Sequence, residues 1–262
     1  MPAVAAPPGR FAQYRGRAAV GLGVLSLLLL IVFLQVARPG ESEVAVAAPG
    51  PMPSVAAKHT ANVEPTEDAA AGVVDRADPK YGGAAAYNQG DYGLALERYR
   101  KAVEANPQDA DSLNNLGQVI ARTGQPADAI PYFDRALAIY PNVWKYRFNR
   151  AHAESRVGNW PRAVEDYKLA LALNADDYVI HYNLGMALHK VGDEAAAVAA
   201  YRRAIDLAPG EPSFRLSLGI SYERLNKPAE AAMAYEEYLQ LAPSAPDAAQ
   251  VRAQIDSLRK TA

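Results

Sequence analysis

The chain has 262 residues, with 27 Lys plus Arg against 29 Asp plus Glu, a formal net charge of -2 and no cysteine. The missing cysteines exclude disulfides and thiolate metal sites. The balanced charge argues against a polyanion partner such as nucleic acid.

The N-terminal segment, residues 1–17, is basic, carrying Arg10, Arg15 and Arg17. Residues 18–37 then run for twenty positions without a charge, through Leu25, Leu27, Leu28, Leu29, Leu30, Ile31, Val32, Phe33 and Leu34. As a helix that run is about 30 Å long, the thickness of a hydrocarbon core. Arg38 is followed closely by Glu41 and Glu43, so the basic side predicts a cytoplasmic N-terminus and an extracytoplasmic remainder, in a bacterium the periplasm. Two readings of the run are an uncleaved single-pass anchor and a signal peptide cut near Ala45, Val46 and Ala47. Its length, and the distance to that small-residue site, favour the anchor. Residues 38–75 are rich in Ala, Pro, Val, Glu and Ser without helical apolar spacing. They read as a flexible linker whose roughly 37 residues span about 30 to 35 Å.

From residue 76 onward the chain repeats every 34 residues. Gly83, Gly117, Ala151, Gly185 and Gly219 share one slot, Ala95, Ala129, Ala163, Ala197 and Ala231 a second, and Tyr99, Phe133, Tyr167, Tyr201 and Tyr235 a third. Pro107, Pro141, Pro209 and Pro243 close four units, with Ala175 in the remaining place. Small residues let two antiparallel helices approach, an aromatic fills the gap between them, and proline stops the second helix. Gly90, Gly124, Gly158, Gly192 and Asn226 fall at the turn between the helices, where a left-handed backbone is needed. Pro126, Pro161 and Pro228 open second helices, and Pro131, a little deeper, is expected to distort the start of its helix. A final stretch, residues 246–262, puts Ala248, Val251, Ile255 and Leu258 on one face and predicts a capping helix.

This pattern resembles the tetratricopeptide repeat (TPR) family. The resemblance implies an all-α fold, a right-handed superhelical solenoid of about five helical hairpins with a concave groove. The repeats are then 76–109, 110–143, 144–177, 178–211 and 212–245. No hairpin buries its apolar face alone, so the repeats are stable only as a stack.

Catalytic signatures are lacking: there is no phosphate-binding loop, nucleophile elbow or dinucleotide glycine fingerprint. His181 and His189 are eight apart, too far to share a metal on one helix turn. The chain reads as a non-enzyme with no cofactor and no metal. Within the repeats, 22 Lys plus Arg face 23 Asp plus Glu, so no strongly basic surface is expected.

Function is therefore expected in the groove. By the resemblance, its lining includes Asn115, Asn149 and Asn183 at one slot of three consecutive repeats, with Lys145, Tyr182, Gln118 and His152 beside them. The three asparagines resemble the ladder in the repeat domain of O-linked N-acetylglucosamine transferase, which implies a grip on the backbone of an extended peptide. Tyr81 and Ser217 stand in the outer repeats, so the ladder has three rungs. The carboxylate clamp of chaperone co-factors is matched by Lys80, Asn115 and Lys145, but Ala84 and Asn149 replace its other asparagine and its arginine. Arg122, Arg156, Lys190 and Arg224, again 34 apart, read as cations near helix C-termini. Arg150, Glu154 and Asp166 are expected to form an internal charged cluster in the third repeat.

The reading is a membrane-anchored scaffold binding a peptide or protein partner, in envelope assembly. The alternatives are a self-associating assembly protein, a homo-oligomer formed through exposed Phe148, Tyr182, Leu216 and Ile220, or a regulatory subunit of a separate enzyme.

Overall fold

The computed structural model describes residues 78–261. The basic segment, the proposed anchor at 18–37 and the linker at 38–75 lie outside the described residues. Among the described residues no helix is long and apolar enough to cross a membrane.

The described chain consists of helices joined by short turns. They pair as α1 (Pro79–Asn88) with α2 (Tyr92–Ala105), α3 (Ala110–Arg122) with α4 (Pro126–Ile139), and α5 (Trp144–Arg156) with α6 (Trp160–Leu173). The series continues with α7 (Tyr178–Val191) and α8 (Glu194–Leu207), α9 (Pro212–Arg224) and α10 (Pro228–Leu241), and ends on α11 (Ala248–Thr261). Each helix packs on the next in sequence.

Local chemistry sets these boundaries. Asp91 caps α2 by accepting from Leu94 N at 2.9 Å, and Asp177 caps α7 by accepting from Val179 N and Ile180 N. Pro126, Pro212 and Pro228 begin their helices, where the missing N–H has no intrahelical partner to lose. Within a hairpin the first helix ends on a left-handed residue, Gly192 at φ 84° after α7 and Asn226 at φ 55° after α9. The next amide reaches back over the turn, as Asp193 N does to Leu188 O at 3.0 Å. Pro131 does not break α4, which stays helical from Pro126 to Ile139.

The small slot and the aromatic slot meet inside each hairpin. A Cβ at Gly185 would stand 2.6 Å from Tyr201 Cε1, so only glycine lets that ring lie flat against α7. The aromatic slots are nearly sealed, with Tyr99, Phe133, Tyr167, Tyr201 and Tyr235 all at most 2% exposed. At the far end Val251 and Ile255 of α11 join the core and Leu258 packs against it. That helix covers the apolar face α10 would otherwise expose.

Buried apolar side chains gather in more than one body. A large cluster runs from Phe148 on α5 to Ile255 on α11, and smaller clusters fill α1 to α4.

Candidate functional site: the inner face of the stack

The first helices of successive hairpins touch one another, α3 with α5, α5 with α7 and α7 with α9. Neighbours that close belong to the shorter side of a curved stack, so these helices line its inner face.

Asn115, Asn149 and Asn183 sit there, between 5% and 7% exposed. Each uses one end of its amide internally. Asn149 Nδ2 donates to Asn114 Oδ1 at 2.8 Å, and Asn114 Nδ2 donates to Asn115 Oδ1 at 3.1 Å. Asn183 Nδ2 donates to the Val179 carbonyl at 2.8 Å. Val179 O can only accept, which fixes the Asn183 amide with its oxygen outward. Among the described residues no hydrogen bond is made by Asn149 Oδ1 or Asn183 Oδ1. The three amides are thus held by internal bonds, and the Val179 carbonyl leaves Asn183 with an acceptor towards the face. Asn114, which couples the first two rungs, was not singled out from the sequence. Its slot differs from repeat to repeat, so the period gives no signal for it.

The other predicted lining residues divide. Gln118 and Lys145 are part-exposed on the same face, with Lys145 Nζ 5.8 Å from the Trp144 ring centroid. Tyr182 is only 6% exposed, its ring 4.7 Å from that of Phe214 and its hydroxyl 3.5 Å from Ser217 Oγ. Phe148 is 4% exposed, and Leu216 and Ile220 are partly buried against the core. The expectation of four exposed apolar residues is therefore corrected. Phe148 stacks on His152 and Tyr167, Tyr182 on Tyr201 and Phe214, so the adjoining helix covers them.

His152 is part-buried, and its Nε2 is sealed and without a partner. Burial first, then the Arg156 and Arg122 guanidiniums, push its pKa from 6.5 down to about 4. The folded imidazole stays neutral where the unfolded one would take a proton. Its contribution to stability is full above pH 6.5 and is lost as pH falls towards about 4. Wild type is expected to lose up to about 3 kcal/mol more than His152→Leu over that window, in chemical denaturation at several pH values. Parallel pH profiles for the two proteins would contradict this.

A model described as tetratricopeptide repeat matches residues 82–143 and 148–212, and a second of the same description matches 184–256. The chain belongs to the tetratricopeptide repeat family. A peroxisomal targeting signal receptor of Kluyveromyces lactis is 31% identical over 72 residues, 28% of this chain and 13% of the receptor. The chain thus spans about an eighth of that relative's length. Among solved structures, MamA of Desulfovibrio magneticus RS-1 is 20% identical with a TM-score of 0.60, over 64% of this chain and 95% of that one. YrrB, described as a TPR protein with an unusual peptide-binding site, is 18% identical with a TM-score of 0.60, over 65% of this chain and 88% of that one. At such identity the structural likeness concerns the fold.

Two further features of this TPR stack bear on the groove. Lys80 does not stand ready for a carboxylate ligand, because Asp109 and Asp111 hold its Nζ at 3.1 and 3.4 Å. Two of the four periodic cations are also engaged. Arg156 Nη1 donates to the Ala121 carbonyl at 2.6 Å, at the negative end of the preceding first helix, and Arg122 lies over the Tyr92 ring with its Nε bonded to the Tyr92 hydroxyl. Among the described residues no group of His, Asp or Glu is arranged to hold a metal ion.

Proposed function

We propose that this TPR protein is a membrane-anchored adaptor whose inner face holds an extended segment of a protein partner. The observation that carries the reading is the row Asn115, Asn149 and Asn183, each held by an internal bond, with Asn149 Oδ1 and Asn183 Oδ1 unbonded among the described residues. A strand-like segment presents alternating carbonyl and N–H groups, which a row of amides along one face can meet without regard to side chains. YrrB, of similar fold, is described as having a peptide-binding site, which agrees with this use of the stack.

The test is crosslinked capture from membranes with the full-length chain beside a variant carrying Asn115→Ala, Asn149→Ala and Asn183→Ala, both checked for folding by circular dichroism. Partners present with wild type and lost with the variant support the ladder. Partners captured equally by both place the contact elsewhere and overturn it.

The anchor is the uncharged run at 18–37, and the repeats lie outside the cytoplasm, by the basic residues preceding that run. Alkaline phosphatase fused after residue 77 is expected to be active in a bacterial host and inactive once residues 1–37 are removed. An inactive full fusion would overturn this placement.

A further inference from the structure

The joint between the second and third repeats differs in kind from the others. Two slots of each first helix lie between the preceding second helix and its own partner. The outer clefts of the stack show this, since Ile120 floors the one between α2 and α4, and Leu218 and Tyr222 floor the one between α8 and α10. Repeats 2, 4 and 5 fill these slots with buried apolar residues: Leu116 and Ile120, then Leu184 and Leu188, then Leu218 and Tyr222. In repeat 3 the same two slots hold Arg150 and Glu154.

Here the space between α4 and α6 is closed by ions. Arg150 grips Asp166 with two bonds of 2.7 Å and reaches Asp134 on α4 with a third, also 2.7 Å. Arg162 bridges Asp134 at 3.0 Å and Glu154 at 2.9 Å, and Arg147 stands 3.5 Å from Asp166. On the inner side of the joint the bonds are polar as well: Tyr146 to Asp111, Asn149 to Asn114 and Arg156 to the Ala121 carbonyl. The buried apolar residues that α5 lends to the N-terminal clusters are Ala153 and Tyr146. Its Phe148 and Ala151 belong to the C-terminal cluster.

A solenoid is held by the sum of its repeats and the joints between neighbours. An apolar joint gains from every area removed from water. An ionic joint gives back in desolvation much of what its pairs supply, and water can replace each of its bonds. Asp134 and Arg162 are 42% and 41% exposed, so salt reaches this seam.

We propose that repeats 1–2 and repeats 3–5 with α11 are two cooperative bodies hinged at this ionic seam. The hinge lies between Asn115 and Asn149, so its opening changes the spacing of the first two rungs of the inner face. The proposal stands whether or not the ladder binds a peptide.

The cysteine-free chain allows paired spin labels at matching exposed sites of successive second helices. Ala138→Cys with Ala172→Cys crosses the seam, whereas Ala172→Cys with Asp206→Cys lies within the C-terminal body. Dipolar distance distributions are recorded for the full-length chain at roughly 0.05 M and roughly 1 M NaCl. The seam pair is expected to be about twofold broader than the internal pair, and broader still at high salt. In a background of Arg150→Leu, Glu154→Leu and Asp166→Ala, which copies Leu184, Leu188 and Ala200 of repeat 4, the seam width is expected to fall to the internal value. Equal widths for the two pairs in the otherwise unchanged chain at both salt concentrations would overturn the hinge, and that comparison decides the matter even where the apolar seam fails to fold. A folded apolar seam that stayed broad would overturn its ionic cause.

Discussion

Asp166→Ala is expected to lower the unfolding free energy by about 3 kcal/mol, because it leaves a largely buried guanidinium without its main partner. The Asp166 side chain is 2% exposed and that of Arg150 is 16%. The two-bonded grip raises the Arg150 pKa, the Asp166 hydrogen bonds being the largest cause, so the arginine cannot escape by losing its proton. Asp134 keeps one contact with it, which limits the loss. The paired change Arg150→Leu with Asp166→Ala is expected to recover most of the stability, since well-packed apolar residues replace a buried ion pair at little or no loss. Urea denaturation of the three proteins checks both statements. A single variant as stable as wild type, or a double variant no better than the single one, would contradict them.

Phe133→Ala is expected to cost about 3 to 5 kcal/mol, the range for removing a buried aromatic side chain. Phe133 is 1% exposed, lies against Gly117 and belongs to the N-terminal apolar cluster. Alanine leaves a hole between α3 and α4 that the close backbone approach cannot collapse to fill. With an ionic seam beyond repeat 2, the loss should stay local. Hydrogen exchange is expected to show α1 to α4 losing protection while α9 to α11 keep theirs. An equal loss along the whole stack would mean that the seam transmits cooperativity as well as the apolar joints do.

The features legible in the sequence were those carried by local, repeated geometry. Gly192 and Asn226 announce left-handed turns because few other residues adopt them. Gly185 and Tyr201, sixteen apart, announce a close helix pair because the ring needs the space a side chain would take. The pairing of Arg150 with Asp166 was also legible, since both break the apolar pattern within one hairpin.

What could not be read was depth and long-range pairing. A slot on the inner face says which way Tyr182 points but not that Phe214 of the next repeat covers it. Lys80 is matched to Asp109 and Asp111, 29 and 31 residues away, by the docking of one hairpin on the next. Asn114 couples two rungs because Asn149 reaches across the seam to it. Each of these depends on how a particular pair of helices packs, which the shared period does not encode.

The central claim is that the inner face reads peptide backbone, and the most direct measurement is the affinity of a captured partner segment for the full-length chain, with backbone amides replaced one at a time by esters. An ester keeps the side chains and removes one N–H donor. Replacement opposite Asn149 Oδ1 or Asn183 Oδ1 is predicted to weaken binding about tenfold, the worth of roughly one hydrogen bond. An ester series that binds as tightly as the amide at every position would contradict the ladder.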